Sequence, residues 1–330
     1  MAGLSVQIIE QAPRHRDLAS ARTSWQRARI VADGLPTTDP ARVRLQIQSQ
    51  TLLCATAFLA ARNAADTGFE ELRELCTAAG DGISLAIGMS GIIMALAVNG
   101  RARDAAHLAG EFTELVESIA DPTLTVALFY AGCYAKLEVG EVREAWRLAQ
   151  RAVDLAAGDP TKGSLIFGSP LAMATGLKGF VGICLGMPGW QADSDAAIAM
   201  AAPIDPTIHV VTIMWKHVLA IPFGVLAADT TALADTAEAL RIAEQTGDEL
   251  VLGFARLAHG LTQIHHGRRP PRRRPRAAGR GAAVSGEAAY CQLGDRRRRP
   301  RVSQTQSATR RSRRRHRTGA FGRRRQLRLR

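Results

Sequence analysis

DPTLTVALFYAGCYAKLEVG, residues 121–140, and EVREAWRLAQRAVDLAAGDP, residues 141–160, together decide how this chain reads. Asp121 is a good N-cap because its carboxylate accepts from the free N–H groups of a first helical turn, and Pro122 suits the first helical position because it has no N–H to leave unpaired. A helix is therefore predicted to begin here and to run through Leu128, Phe129, Tyr130, Tyr134 and Leu137. Gly140 can take the left-handed conformation that closes a helix. Beyond it Ala145, Ala149, Ala152 and Ala156 recur at the spacing of one helix face, while Arg143, Glu144, Arg147, Gln150, Arg151 and Asp154 fill the other. Asp159-Pro160 then begins the pattern again. The reading is a helical hairpin, one unit of a repeat, whose alanine face lets two helices approach closely.

The same punctuation recurs along the chain. Asp81 is followed 19 residues later by Gly100, Asp121 by Gly140, Asp205 by Gly224 and Asp248 by Gly267; Asp159 is followed at 20 by Gly179. Unit starts at Asp39, Asp81, Asp121, Asp159, Asp205 and Asp248 lie 42, 40, 38, 46 and 43 residues apart. A period near forty holds one helix of about 17 residues, a glycine turn and a second helix of similar length. The fold class expected is all-α, a right-handed superhelix of helical hairpins over residues 15–267, after an N-terminal extension at 1–14.

Taken in order, 17–33 reads as an amphipathic helix closed by Gly34-Leu35-Pro36. Pairs follow at 42–62 with 68–79, at 83–98 with 101–119, at the Asp121 unit, and at 209–221 with 233–245; 248–266 is a first helix again. Residues 160–204 are the least regular: Pro170, Gly176, Gly179, Gly182, Gly186, Pro188 and Gly189 weaken helix, and a kink or irregular loop is predicted there.

At residue 268 the composition changes. Residues 268–330 hold 23 arginines against two acids, Glu287 and Asp295, and no Ile, Met, Lys, Asn or Trp. That excess outweighs the whole chain's formal +13, so residues 1–267 are net acidic. An arginine-rich, lysine-free tail without periodicity is expected to be disordered, and its composition is what a GC-rich gene yields when read out of frame. As a polycation it would bind nucleic acid non-specifically by counterion release. The body is 46% hydrophobic over the whole chain but only 5% aromatic, which implies a core of Ala, Leu, Ile and Val. Five scattered cysteines with no C-x-x-C pair read as free thiols in a reducing, cytoplasmic setting. The longest uncharged apolar run, 83–98, is too short to span a membrane.

No constellation carries catalysis. Residues 158–164 (GDPTKGS) miss the spacing of a phosphate loop, and Gly176, Gly179 and Gly182 miss that of a dinucleotide turn. His209, His217, His259, His265 and His266 lack the partners of a metal site. Neither cofactor nor metal is expected, and the chain does not read as an enzyme; a pocket near 165–220 with converging titratable groups would be the sign of one.

The run from Gly140 to Val153, with its glycine and the alanines 145 and 152, resembles a tetratricopeptide-type hairpin, as does Gly100-Arg-Ala-Arg-Asp-Ala105. Residues 238–248 have the style of longer, near-forty-residue repeats. Together, over 17–267, they resemble the helical C-terminal region of large actinobacterial signalling regulators, in which a class III nucleotide cyclase or a LuxR-type DNA-binding module is combined with an AAA-type NTPase and such repeats. That resemblance implies a TPR-like α-solenoid. The cyclase, NTPase and helix-turn-helix motifs are not found here, so those activities are not implied. Asp81, Gly100, Asp121, Gly140, Ala145, Ala152, Asp205, Gly224, Asp248 and Gly267 are expected to be structural marks of the repeat. The concave side of such stacked units is lined by first helices, which makes Tyr130, Tyr134, Lys136, Met214, Trp215, Lys216 and His217 the candidate interaction residues.

The expected function is a non-catalytic scaffold for a protein partner or small signalling ligand, a fragment of a cyclase- or LuxR-type regulator; the alternative is polyanion binding through the arginine tail. The apolar face of Leu250, Leu252, Phe254, Leu257 and Leu261 lacks a following helix, so self-association is also expected.

Overall fold

Six aspartates start helices, Asp229 among them through the Ala232 amide at 2.9 Å. Asp39 accepts from the Ala41 amide at 2.8 Å, Asp81 from Ser84 at 3.0 Å, Asp121 from Thr123 at 2.7 Å, Asp205 from Thr207 at 2.9 Å and Asp248 from Leu250 at 2.9 Å. Each carboxylate thereby satisfies donors that a helix N-terminus leaves free. In the computed structural model, residues 18–58, 67–246 and 248–267 are described. The chain divides between Gly294 and Asp295, and the described residues all belong to the first unit. The extension at 1–14 and the basic tail at 268–330 lie outside them.

The described residues form twelve α-helices and no strand: α1 Leu18–Gly34, α2 Pro40–Ala55, α3 Phe69–Ala79, α4 Gly82–Val98, α5 Ala102–Ile119, α6 Pro122–Glu138, α7 Val142–Ala156, α8 Pro170–Leu185, α9 Trp190–Ala201, α10 Pro206–Ala220, α11 Thr230–Thr246 and α12 Glu249–His265. Gly100, Gly140, Gly224 and Gly267, just beyond α4, α6, α10 and α12, all have positive φ, between 68° and 81°. Ala145 and Ala152 are buried on α7.

The helices pack in two rows. The even-numbered helices α2, α4, α6, α8, α10 and α12 pack on one another in succession, and each odd-numbered helix packs on the even helices that flank it. An even helix in mid-chain thus packs on neighbours at four sides, and an odd helix packs chiefly on two, with ion pairs such as Arg73–Glu111 and Glu117–Arg151 linking odd helices. The sequences match this difference. Helix α4 reads GISLAIGMSGIIMALAV and buries residues all round its circumference, whereas α7 buries only Ala145, Ala149, Ala152 and Ala156. One large apolar cluster runs from α2 to α12 through the even helices.

Within residues 160–204 the expected irregular loop is present, as part of the 157–169 segment, and Gly186, Pro188 and Gly189 lie in the turn between α8 and α9. The departure from expectation is α8 itself, an unbroken helix through Gly176, Gly179 and Gly182. Asp159 caps only a tight turn at Thr161, 2.9 Å away, and α8 begins behind Ser169 with Pro170 in its first turn. Gly179, read as a turn glycine, sits in the middle of α8. Its neighbours explain why: a Cβ on Gly176 would lie 2.9 Å from Thr212 Cγ2, and one on Gly179 would lie 2.7 Å from Ser194 Oγ. These glycines are places where α9 and α10 press on α8 rather than places where the helix breaks, and packing outweighs their low helix propensity. The 157–169 segment is tied at both ends, by Lys162 Nζ donating to the Leu155 carbonyl at 2.7 Å and by the Gly168 amide donating to Asp205 at 2.9 Å.

Candidate functional site

The seven candidate residues lie on α6 and α10, both in the even row, and the structure distributes them differently from one continuous binding surface. Tyr130, Met214, Trp215 and His217 are buried; Tyr134, Lys136 and Lys216 are half-buried. Burial of the first four follows from the even row's neighbours on four sides.

Tyr130 sits between units. Its ring meets Phe167 edge-on at 4.8 Å, and its hydroxyl lies 3.3 Å from Ser90 Oγ on α4. Ser90 spends its own proton on the Ile87 carbonyl at 2.8 Å, so the tyrosine donates to the serine. Burial raises the Tyr130 pKa above its ordinary value, and the hydroxyl stays protonated. Tyr134 and Trp215 come together, ring centroids 6.3 Å apart, and Phe180 of α8 also lies 6.3 Å from Trp215. This aromatic group joins α6, α8 and α10. Lys136 turns away from it to pair with Glu141 at 2.8 Å.

The second neighbourhood is a polar seam where α9 and α11 meet α10. Lys216 Nζ lies 2.8 Å from Asp195 on α9 and 3.9 Å from Asp235 on α11. His217 presents Nδ1 to the Ile213 carbonyl at 2.9 Å and Nε2 to Asp235 at 3.5 Å. A carbonyl only accepts, so Nδ1 carries the proton and Nε2 is free to accept one. Burial lowers the His217 pKa, assisted by Lys216 and opposed by the Ile213 hydrogen bond and the two aspartates. His209, one face further along α10, is also lowered by burial, with Glu238 and Asp235 opposing. On the far side of α11, Thr236 Oγ1 is 3.1 Å from His259 Nδ1 of α12. The seam can hold charge in place between helices. Among the described residues no group of three or more His, Cys, Asp or Glu is placed to hold a metal ion.

Phe167, Phe180, Asp195 and Asp235 carry no sequence-based expectation, and His209 is weighed from the sequence only as a metal ligand. One signal was available: Lys216-His217 interrupts an otherwise apolar helix, and a cation in such a position calls for acids on the flanking amphipathic helices. Asp195 and Asp235 are those acids. The aromatic partners carry no comparable signal, because Phe167 reaches Tyr130 only through the path of the 157–169 segment.

The four described cysteines are unpaired. Burial pushes Cys54 up to about 11, Cys76 up to about 12 and Cys184 up to about 11, so these thiols stay protonated near neutral pH. No described helix is long and apolar enough to cross a membrane. No protein-family model matches the chain, and a search of curated proteins finds no similar sequence.

Proposed function

We propose that residues 15–267 form a TPR-like α-solenoid of hairpins with a period near forty, acting as a non-catalytic scaffold that binds a protein partner, in the manner of the helical region of cyclase- or LuxR-type regulators. The observation that carries this reading is the succession of even helices, each begun by a capped N-terminus and each packed on the even helix before it. Such a ladder buries its apolar residues between neighbouring units and leaves the remaining faces free for recognition. Tyr134, Lys136 and Lys216 are the candidate residues that keep partial exposure and are therefore the ones able to touch a partner.

Cross-linking at native abundance, followed by mapping of the linked peptides, tests the reading. Reproducible links from one partner to α6 and α10, reduced by Lys136→Ala with Lys216→Ala, are expected. Links confined to other surfaces, or a scattering envelope of a compact globule rather than an extended ladder, would sink it. A second reading, polyanion binding, rests on the 23 arginines of 268–330. It predicts affinity for arbitrary DNA that falls steeply with salt and disappears when that segment is deleted.

A further inference from the structure

Helices α4, α6, α10 and α12 all start on a capping aspartate, so their positions can be compared by distance from it. Nine residues on stand Ser90, Tyr130, Met214 and Leu257; the first three are at most 6% exposed and Leu257 is 43% exposed. Sixteen residues on stand Ala97, Leu137, Ile221 and Ile264; the first three are at most 8% exposed and Ile264 is 57% exposed. Leu250, one helical heptad before Leu257, is exposed as well. The positions equivalent to Leu257 and Ile264 are buried on the other three helices and open on α12, the last described helix.

The shape of this stripe says what fits it. Leu250, Leu257 and Ile264 form its centre line, seven residues apart; Phe254 and Leu261, half-buried, form one edge. The other edge is Gly253 and Gly260, where an added Cβ would meet nothing within 4 Å. The pattern is symmetric about Leu257. Rotate a second copy of α12 by a two-fold axis through that residue, antiparallel to the first, and Leu257 faces Leu257, Leu250 faces Ile264, Phe254 lies beside Leu261, and Gly253 lies beside Gly260. Large residues then fill one edge of the contact while the two glycine edges permit close approach of the backbones, and the opposed helix dipoles attract. A two-fold contact of this kind uses the same patch on both partners and closes on itself.

We propose that the chain forms a two-fold dimer through antiparallel packing of α12 on α12 of a second copy, centred on Leu257. The interface is one helix pair, small for a stable complex, so the association is concentration-dependent rather than obligate. It does not depend on the scaffold reading above, since it uses only α12.

Cysteine cross-linking in the full chain separates the alternatives, with the unsubstituted protein carried through the same oxidation as a control. Leu257→Cys is expected to yield a covalent dimer by itself. Leu250→Cys and Ile264→Cys are each expected to stay monomeric alone, because like positions stand about 21 Å apart along antiparallel helices at 1.5 Å per residue, and to cross-link when the two variants are mixed. Leu257→Glu should weaken dimerisation in sedimentation by about 100-fold or more with helical content unchanged, because the position is exposed in the single chain. A full chain that sediments as a monomer at every concentration overturns the proposal. So does Leu250→Cys linking to itself, which indicates parallel helices, or a ladder of higher species, which indicates head-to-tail contact. A photoreactive residue at 257 that links within its own chain to 268–330, or to a different protein, overturns it by naming another occupant.

Discussion

Helices α4 and α7 have nearly the same length and opposite construction. Thirteen residues of α4 are buried, spread over its whole circumference, whereas α7 buries four alanines in a line. The difference lies in the number of neighbours: α4 packs on α2, α3, α5 and α6, and α7 packs chiefly on α6 and α8, its link to α5 being the ion pair of Arg151 with Glu117 at 2.7 Å. A helix held on four sides has no face left for charge, and its small residues mark where other chain segments press closest. A helix held on two sides keeps its charges and needs only a narrow seam. Even-row positions are therefore expected to be intolerant of added volume, and odd-row positions away from the seam indifferent to it.

The sharpest test uses one substitution in both rows. A Cβ on Gly91 of α4 would overlap the carbonyl oxygens of Cys54 and Ala55, backbone atoms that cannot swing aside. Gly91→Ala is expected to cost about 3 kcal/mol in urea unfolding; a loss below the scatter of the assay would show that α2 and α4 are not held so closely. Next in size, Tyr130→Phe removes the hydroxyl that donates to Ser90 and should cost about 1 kcal/mol, with the ring packing on Phe167 retained. An unchanged melting temperature would mean that the serine finds equal satisfaction elsewhere.

The polar seam gives a pH-dependent version of the comparison. Folding lowers the His217 pKa from 6.5, so the folded state favours the neutral ring. Its contribution to stability is complete above pH 6.5 and is lost as pH falls below that value, where the unfolded chain takes up the proton first. His209 acts in the same sense, and Glu138, raised by burial, acts in the opposite one. Thermal melts between pH 8 and pH 5 are expected to show a shallower acid loss in His217→Gln than in the parent; parallel curves would remove His217 from the account. The smallest effect completes the first comparison. Gly110 of α5 has open space where a Cβ would stand, so Gly110→Ala is expected to stabilise by about 0.5–1 kcal/mol through helix propensity. A destabilised Gly110→Ala protein would break the distinction between the rows.

Much of this fold was legible because its signals are local. An aspartate that caps its own helix and a glycine that closes it act within a few residues, and Asp81, Asp121, Asp205 and Asp248 do in the structure what their spacing predicted. The alanine line of α7 likewise reports its seam directly. The α8 glycines were misread for the opposite reason. In sequence Gly176 and Gly179 look like helix breakers, and only the presence of Thr212 and Ser194 against them shows that they are contact points. The candidate site was less legible than the fold: aromatic and cationic residues on apolar helices were found, but their number of neighbours decides whether they are surface or core.

Caps, turn glycines and helical periodicity thus located most of the helices from the sequence alone, because each depends on hydrogen bonds and conformational preferences among adjacent residues. The helix expected over 42–62 ends instead at Ala55, and α8 and α9 were not expected. Tertiary structure decided which helices are enclosed on four sides, that Tyr130 and His217 are interior, that Lys216 reaches Asp195, and that Leu250, Leu257 and Ile264 of α12 stay exposed. Those outcomes depend on which distant segments share a face, and that information resides in the packing of whole helices rather than in any one of them.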